Sequence, residues 1–524
     1  MLFRSPLEAR QDFERSLSLG TGTAGEWRVR ALTLRNLGSL ANARNEHLEA
    51  SDRYRETLEL LRLHGVSQSP EFASVLLGLG NAQQGLGHFA QAESLYRAAL
   101  EVHTRILGPT HPLLALDHHN LASTLLQSGA YAAALDTALL AEDVSRRHLR
   151  LVIAGLTERE ALHYAAQRVS GLDVALTAAV HVPGAALWSR AWDGVIRSRA
   201  LVLDEMAERH RLVLRNADPG LTMLAARVVA ASDRLAHLTV LGRGGASPEV
   251  HLARLEQARL EQERAERALA ERSDAYRRKQ ARREIGFAKI AASVPQDVAL
   301  IGYVRFHRFE FERDADAAPK KDLPRTSIPW YGAFILPSGG HEPRFVSLGP
   351  AEQVEERVAA WQREAAEGWR GMPTVAEARY RAAGNALRES IWDSLAVYLG
   401  GAQRVFIVPD GALHLVNFAT LPTDSRSYLI ETGPNLHLLS TERDVVELMD
   451  KGRMGSGIMT ASSVDFMSSM LRAPSTTNRG DAGTRGAQCA AFQSLWFDSL
   501  PGTRIEERNI ARLWRKYHAR LPGA

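Results

Sequence analysis

The 524 residues contain a single thiol, Cys489, within GTRGAQCAAFQS. A cysteine attacks as its thiolate, which needs an imidazole or another cation close by to form at neutral pH. This glycine-rich connection offers neither a strand end nor a neighbouring histidine, so Cys489 reads as an incidental thiol. His111, His118 and His119 have the residue type and close spacing of metal ligands. His111 precedes a proline in a linker, however, and adjacent His118 and His119 point about 100° apart on a helix, so they cannot easily share one ion. Asp410, in VPDG after an apolar run, is a carboxylate of the kind that acts as an acid or a metal ligand at a sheet edge. A Pro-Asp-Gly turn explains itself by backbone geometry, and Arg443 and Asp444 are explained by ion pairing or helix capping. On this reading there is no catalytic residue, no metal ligand and no cofactor-binding residue.

Whatever positions these residues is large and water-soluble in composition. The chain is too long for one core, so two or three domains are expected. No apolar run approaches the roughly 20 residues of a membrane span, and MLFRSPLEARQDFERS lacks the apolar centre of a secretory leader. With one cysteine and no leader, a cytoplasmic location is expected. The pI of 9.2 raises nucleic acid as a partner. A net charge of +4, with acidic residues interleaved among the basic ones, gives no cluster for phosphates. Neither nucleic acid nor a membrane is therefore expected as a partner.

The N-terminal part repeats. Leu37-Gly38, Leu79-Gly80 and Leu121-Ala122 are spaced by 42 residues, and three more columns keep that register: Asn45, Gly87, Gly129; Ala50, Ala92, Ala134; and Tyr54, Tyr96, Ala138. Each unit reads as a helix around the Leu-Gly pair, a turn at the third-column glycine, and a second helix carrying alanine and tyrosine. Small residues let the two helices approach closely. Ala9, Phe13 and Leu17 keep the second-helix spacing and mark an earlier half-unit. By register Ser39, Asn42, Asn81, Gln84 and Ser123 face the concave side of the array, where a protein or peptide would bind; solvation alone also accounts for them.

Helical periodicity continues from about 146 to 295. The stretch LARLEQARLEQERAERALAERSDAYRRKQARRE has Gln262 and Arg272 at candidate core positions, which favours a packed amphipathic hairpin over a coiled-coil zipper. Near residue 297 the pattern becomes that of strands: DVALIGYVRFHRFEF, WYGAFILPSGG and PRFVSLGP. A helix through EARYRAAGNALRESIWDSLAVYL follows, and Val405–Val408 then reads as a buried parallel strand ended by Pro409-Asp410-Gly411. The segment 452–488 reads as a Gly, Ser and Thr-rich loop.

The repeat columns resemble the tetratricopeptide repeat in the 42-residue variant of kinesin light chains, and GPTHPLLALDHHNLA is similar to that variant's link between units. The ordered set YGAFIL, VSLGPAEQVEERV, IWDSL, VFIVPDGALHLVNFATLP, YLIETGPNLHLLSTERDVV and FDSLPGTRIEERNIARLW resembles the CHAT domain. The expected architecture is an all-α tetratricopeptide solenoid at 1–145, a helical spacer at 146–295 and a partial caspase-like α/β domain at 296–524. The resemblance implies a bacterial caspase-like cysteine endopeptidase, whose mechanism needs a histidine in a His-Gly pair and a cysteine on successive strands after the LPGT-type motif at 500–503. Neither follows that motif, so the expectation is a truncated member without peptidase activity. The alternative expectation is a fragment of an active enzyme whose dyad lies beyond residue 524. His64-Gly65 reproduces the dipeptide, but at the end of a repeat helix, where glycine is a normal stop.

Overall fold

The computed structural model describes residues 6–18, 26–153, 156–182, 184–207, 219–241, 246–310, 326–367, 373–450, 508–510 and 512–513. Contacts divide the chain into two compact units, Met1–Leu448 and Met449–Ala524, and nearly all described elements fall in the first.

Helix α1 (Pro6–Ser18) precedes three helical hairpins: α2 (Glu26–Ala43) with α3 (His47–Leu63), α4 (Pro70–Gly85) with α5 (Phe89–Leu107), and α6 (Leu113–Gln127) with α7 (Tyr131–Ile153). The third repeat column supplies the turns. Asn45, Gly87 and Gly129 have φ of 60°, 78° and 84°. This left-handed backbone favours glycine and is tolerated by asparagine. Each turn ends its helix in the same way: Glu46 N–H, His88 N–H and Ala130 N–H return to the carbonyls of Ala41, Gln83 and Leu125 at 2.9 Å each. Helix α1 packs on α2 as α3 does on α4 and α5 on α6, which is the position of a repeat's second helix.

The other columns explain the close approach. Tyr54 and Tyr96 are buried, and a Cβ on Gly38 or Gly80 would lie 3.0 Å from the Tyr54 ring or 2.7 Å from the Tyr96 ring. Glycine is thus the space for the tyrosine. In the third unit both change together: the tyrosine is Ala138 and the glycine is Ala122, and both alanines are fully buried.

The middle of the chain forms α8 (Glu158–Gln167), α9 (Leu172–His181), α10 (Ala185–Ser198), α11 (Pro219–Leu241), α12 (Pro248–Arg272), α13 (Asp274–Arg283) and α14 (Phe287–Ser293). Helices α11 and α12 pack as a hairpin, and the Gln262 amide donates to Ser232 Oγ at 3.2 Å across the seam. That bond accounts for an amide at a core position.

Five strands follow: β1 (Val298–Glu310), β2 (Thr326–Leu336), β3 (Arg344–Pro350), β4 (Arg404–Val408) and β5 (Asn435–Leu438), in the order β3-β2-β1-β4-β5. The β1, β2 and β3 pairings are antiparallel, whereas β4 runs parallel to β1 and to β5. Strand alternation divides the core into two layers. Val298, Leu300, Phe334, Phe406 and Val408 face α9, α10 and α14, in a core continuous with Tyr96, Leu121 and Ala134 of the repeats. Ala299, Ile301, Tyr303, Ile335, Val405 and Ile407 face α15 (Ala351–Glu367), α16 (Pro373–Arg388) and the π-helical turn Glu389–Asp393. Burial on both faces is why Val405–Val408 is apolar without alternation. Packing therefore groups α9, α10 and α14 with the sheet, although their sequence periodicity is that of the spacer. The short helix α17 (Leu429–Thr432) precedes β5, and α18 (Asp444–Asp450) follows it.

Candidate functional site

Two places gather polar residues: the inner face of the repeats and the C-terminal ends of the parallel strands. In the repeats, successive first helices lie against each other, α2 on α4 and α4 on α6, more closely than successive second helices do. The first helices therefore form the inner face. Ser39 and Asn81 are exposed on it, Asn42 and Ser123 are half-buried, and Gln84 is buried. These side chains also bond between units. Asn42 Nδ2 donates to the Gly78 carbonyl at 2.9 Å, and Gln84 Nε2 to Ser123 Oγ at 3.5 Å. The Tyr96 hydroxyl donates to Asn81 Oδ1 at 2.6 Å and reaches Gln84 Oε1 at 3.1 Å. The tyrosine column was visible in the sequence; its hydroxyl as the hub of this network was not, because its partners sit on another helix.

At the strand ends the VPDG turn is docked by backbone bonds. Strand β4 pairs with only the first part of β1, ending at Gly302, so the outward N–H groups farther along β1 need other acceptors. Asp410 Oδ2 accepts from Arg305 N–H at 2.9 Å, Asp173 Oδ1 from His307 N–H at 2.9 Å, and Thr177 Oγ1 from Phe309 N–H at 3.2 Å. Asp410 Oδ1 accepts from Gly411 N–H at 2.8 Å, and the Tyr331 hydroxyl accepts from Ala412 N–H at 2.9 Å. Burial, with the Glu355 and Asp410 carboxylates nearby, pushes Tyr331 up to about 12. Gly411 has a φ of 54° and lies against the Tyr331 ring and Arg305. Asp410 acts here as the acceptor that fastens turn to strand.

Beside it lies a buried ionic network of which the sequence pointed only to Arg443 and Asp444, and not to Glu442, Trp192 or Arg199 at its centre. Glu442 is fully buried, accepts from Trp192 Nε1 at 3.1 Å and sits 3.6 Å from Arg199. Arg199 donates to the Tyr303 carbonyl at 2.6 Å and the Pro409 carbonyl at 3.4 Å. Arg443 pairs with Asp204 at 2.8 Å, and Asp444 with Arg282 at 2.7 Å while also accepting from Thr441 N–H at 2.8 Å. Arg443 and Asp444 thus pair and cap. Glu442 packs over Gly302, where a Cβ would meet its carboxylate at 2.7 Å. An unexpected glycine inside the β1 pattern was the one available signal.

The remaining sequence candidates are dispersed. Gly65, with a φ of 70°, ends α3, and exposed His64 stacks on Trp27 at 4.1 Å. His111 is buried, His118 is half-buried and His119 Nδ1 contacts the Ser170 carbonyl at 3.1 Å. Among the described residues no group of three or more His, Cys, Asp or Glu side chains is arranged to hold a metal ion. Nor is any described helix long and apolar enough to cross a membrane. Cys489 and the 452–488 segment lie outside the described residues.

Comparison with known proteins agrees with this architecture. The tetratricopeptide repeat family matches residues 71–147 and the CHAT domain family matches residues 381–522. The chain carries both: a tetratricopeptide repeat region, seen as α4 to α7, and a CHAT domain that takes in β4 and β5. Strands β1 to β3, which complete the described sheet, lie before the matched span. The crystal structure of BtubC (BKLC) from P. vanneervenii is 18% identical over 40% of this chain and 73% of that one, with a TM-score of 0.27. No curated protein matches the chain.

Proposed function

We propose that this chain is a protein-binding scaffold, whose repeat groove holds a protein or peptide segment, and that its CHAT domain is not a peptidase by means of the residues present. The observation that carries the reading is the contiguous row of first helices with Ser39 and Asn81 exposed at equivalent register positions. An inner face of this kind presents uncharged donors and acceptors to an extended segment. The chemical side rests on the single thiol and the single His-Gly pair of the sequence, the latter placed at the end of α3. We place the scaffold in the cytoplasm, with neither nucleic acid nor a membrane as its partner, on the cysteine usage and dispersed charge above.

Random peptides selected for binding to the intact chain provide the test. Their affinity should fall at least tenfold with Ser39→Arg and Ser74→Arg, which add bulk and charge at exposed first-helix positions, Ser74 lying seven residues before Asn81 and so on the same side of α4. Undiminished binding to both variants would move the site elsewhere. In parallel, a pool of quenched fluorescent peptides should show no turnover; turnover abolished by Cys489→Ser overturns the scaffold reading.

A further inference from the structure

The α11–α12 hairpin is seated on the back of the repeats, with α11 against α7 and α12 against α5. At its foot His111, of the link between the second and third units, lies within electrostatic reach of three other buried imidazoles, His103 of α5, His148 of α7 and His251 of α12; the exposures of His103, His111, His148 and His251 are 2%, 7%, 6% and 1%. A Cβ on Gly108, in the same link, would lie 3.1 Å from Leu252 of α12. Four buried histidines in one seam are unusual, because burial disfavours the charged imidazole.

The bonds specify which form His111 takes. His111 Nδ1 accepts from Leu113 N–H at 3.2 Å, and the ring also bonds the Thr239 backbone of α11. Nδ1 must therefore be unprotonated; the bond to Thr239, which by itself favours the charged ring, ties the link to the hairpin, and burial outweighs it to keep the ring neutral. Around it stand His103, paired at 2.7 Å with Asp117 of α6, which His118 also adjoins. His148, bonded to the Tyr164 hydroxyl of α8 at 2.8 Å, and His251 complete the ring of facing groups.

We propose that this seam is an acid-releasable latch: protonating His111 turns its Nδ1 from acceptor into a donor facing Leu113 N–H, sets a positive charge among His103, His148 and His251, and releases the hairpin. Burial, reinforced by those three rings, lowers the docked His111 to about 4, against an ordinary value of 6.5. Released, the ring takes a proton near 6.5; docked, it resists down to about 4. Docking is thus at full strength above 6.5 and weakens as pH falls toward 4. The ratio of released to docked hairpin rises by about tenfold per pH unit for one proton. The hairpin is a suitable moving part, since much of its surface is exposed, and α12 carries most of its charge there.

Spin labels at Glu101→Cys on α5 and Arg254→Cys on α12, in a Cys489→Ser background, read the separation directly. The expected result is a second, longer distance that grows reversibly between pH 6.5 and 4.5 while helical circular dichroism is unchanged. His111→Asn, which keeps an acceptor toward Leu113 N–H but takes no proton, should hold the short distance at pH 4.5. A single distance across that range in the parent, or a change that tracks loss of helix, overturns the latch. Should His111→Asn undock at neutral pH, the parent's pH profile alone decides.

Discussion

The repeats and the sheet are packed by different means. In the repeats, a side chain meets partners one helix away in sequence: Tyr54 packs on Gly38, and Tyr96 on Gly80. In the sheet the central contact is made across 250 residues, where Trp192 Nε1 donates to Glu442, and the Trp192 ring stacks on Phe334 at 5.3 Å. Local contacts recur, so the third unit can replace both partners at once, as Ala122 and Ala138 do. A contact built from three distant segments has no second copy and no compensating pair.

That contrast is most sharply tested at Trp192. Trp192→Ala removes a fully buried ring and leaves the Glu442 carboxylate without that donor, at a cost of about 3–5 kcal/mol. Because the apolar core runs from Tyr96 through Trp192 to Val408, the third repeat and the sheet should lose stability together in denaturant titration followed by hydrogen exchange. Separate transitions in the variant would show the two regions to be independent.

A smaller loss, about 1–3 kcal/mol, is expected for Gly80→Ala, whose methyl group would press on the Tyr96 ring. Adding Tyr96→Ala reproduces the third unit's pairing, so the double variant should be more stable than the two single losses summed. Strict additivity in a thermal or urea double-mutant cycle would break the account of exchangeable local pairs. Asn45→Ala should cost about 1–2 kcal/mol at its φ of 60°, whereas Asn45→Gly is close to neutral, read from the same urea midpoints.

The smallest effect belongs to a non-local bond at the rim. Asp410→Ala deprives Arg305 N–H of its acceptor, at about 0.5–1.5 kcal/mol, and should speed hydrogen exchange at that amide while leaving the repeats unchanged. Loss of exchange protection in α4 or α6 instead would join the turn to the groove.

How much could be read from the residues follows the same division. The repeat columns, the turn at Asn45, Gly87 and Gly129, and the run Val405–Val408 are legible because each reports its own environment through period or conformation. The network about Glu442, the Asp410 bond to Arg305 N–H and the histidine seam were not legible, because none has a motif and each joins elements far apart in the chain. The residues proposed for the groove stand between: the register expects all five on one face, and gives no sign that Asn42, Gln84 and Ser123 are engaged between units.

The sequence by itself determined the repeating helical hairpins, the change to strands near residue 297 and the resemblance to two families, since backbone periodicity and turn chemistry act over a few residues. Only the tertiary structure decided that α9, α10 and α14 cover one face of the sheet. It also decided that the third repeat shares that core, and that three other buried histidines lie within electrostatic reach of His111 beneath the α11–α12 hairpin. The physical reason is that apolar burial is non-directional: an apolar face specifies that it must be covered, and chain geometry specifies by what.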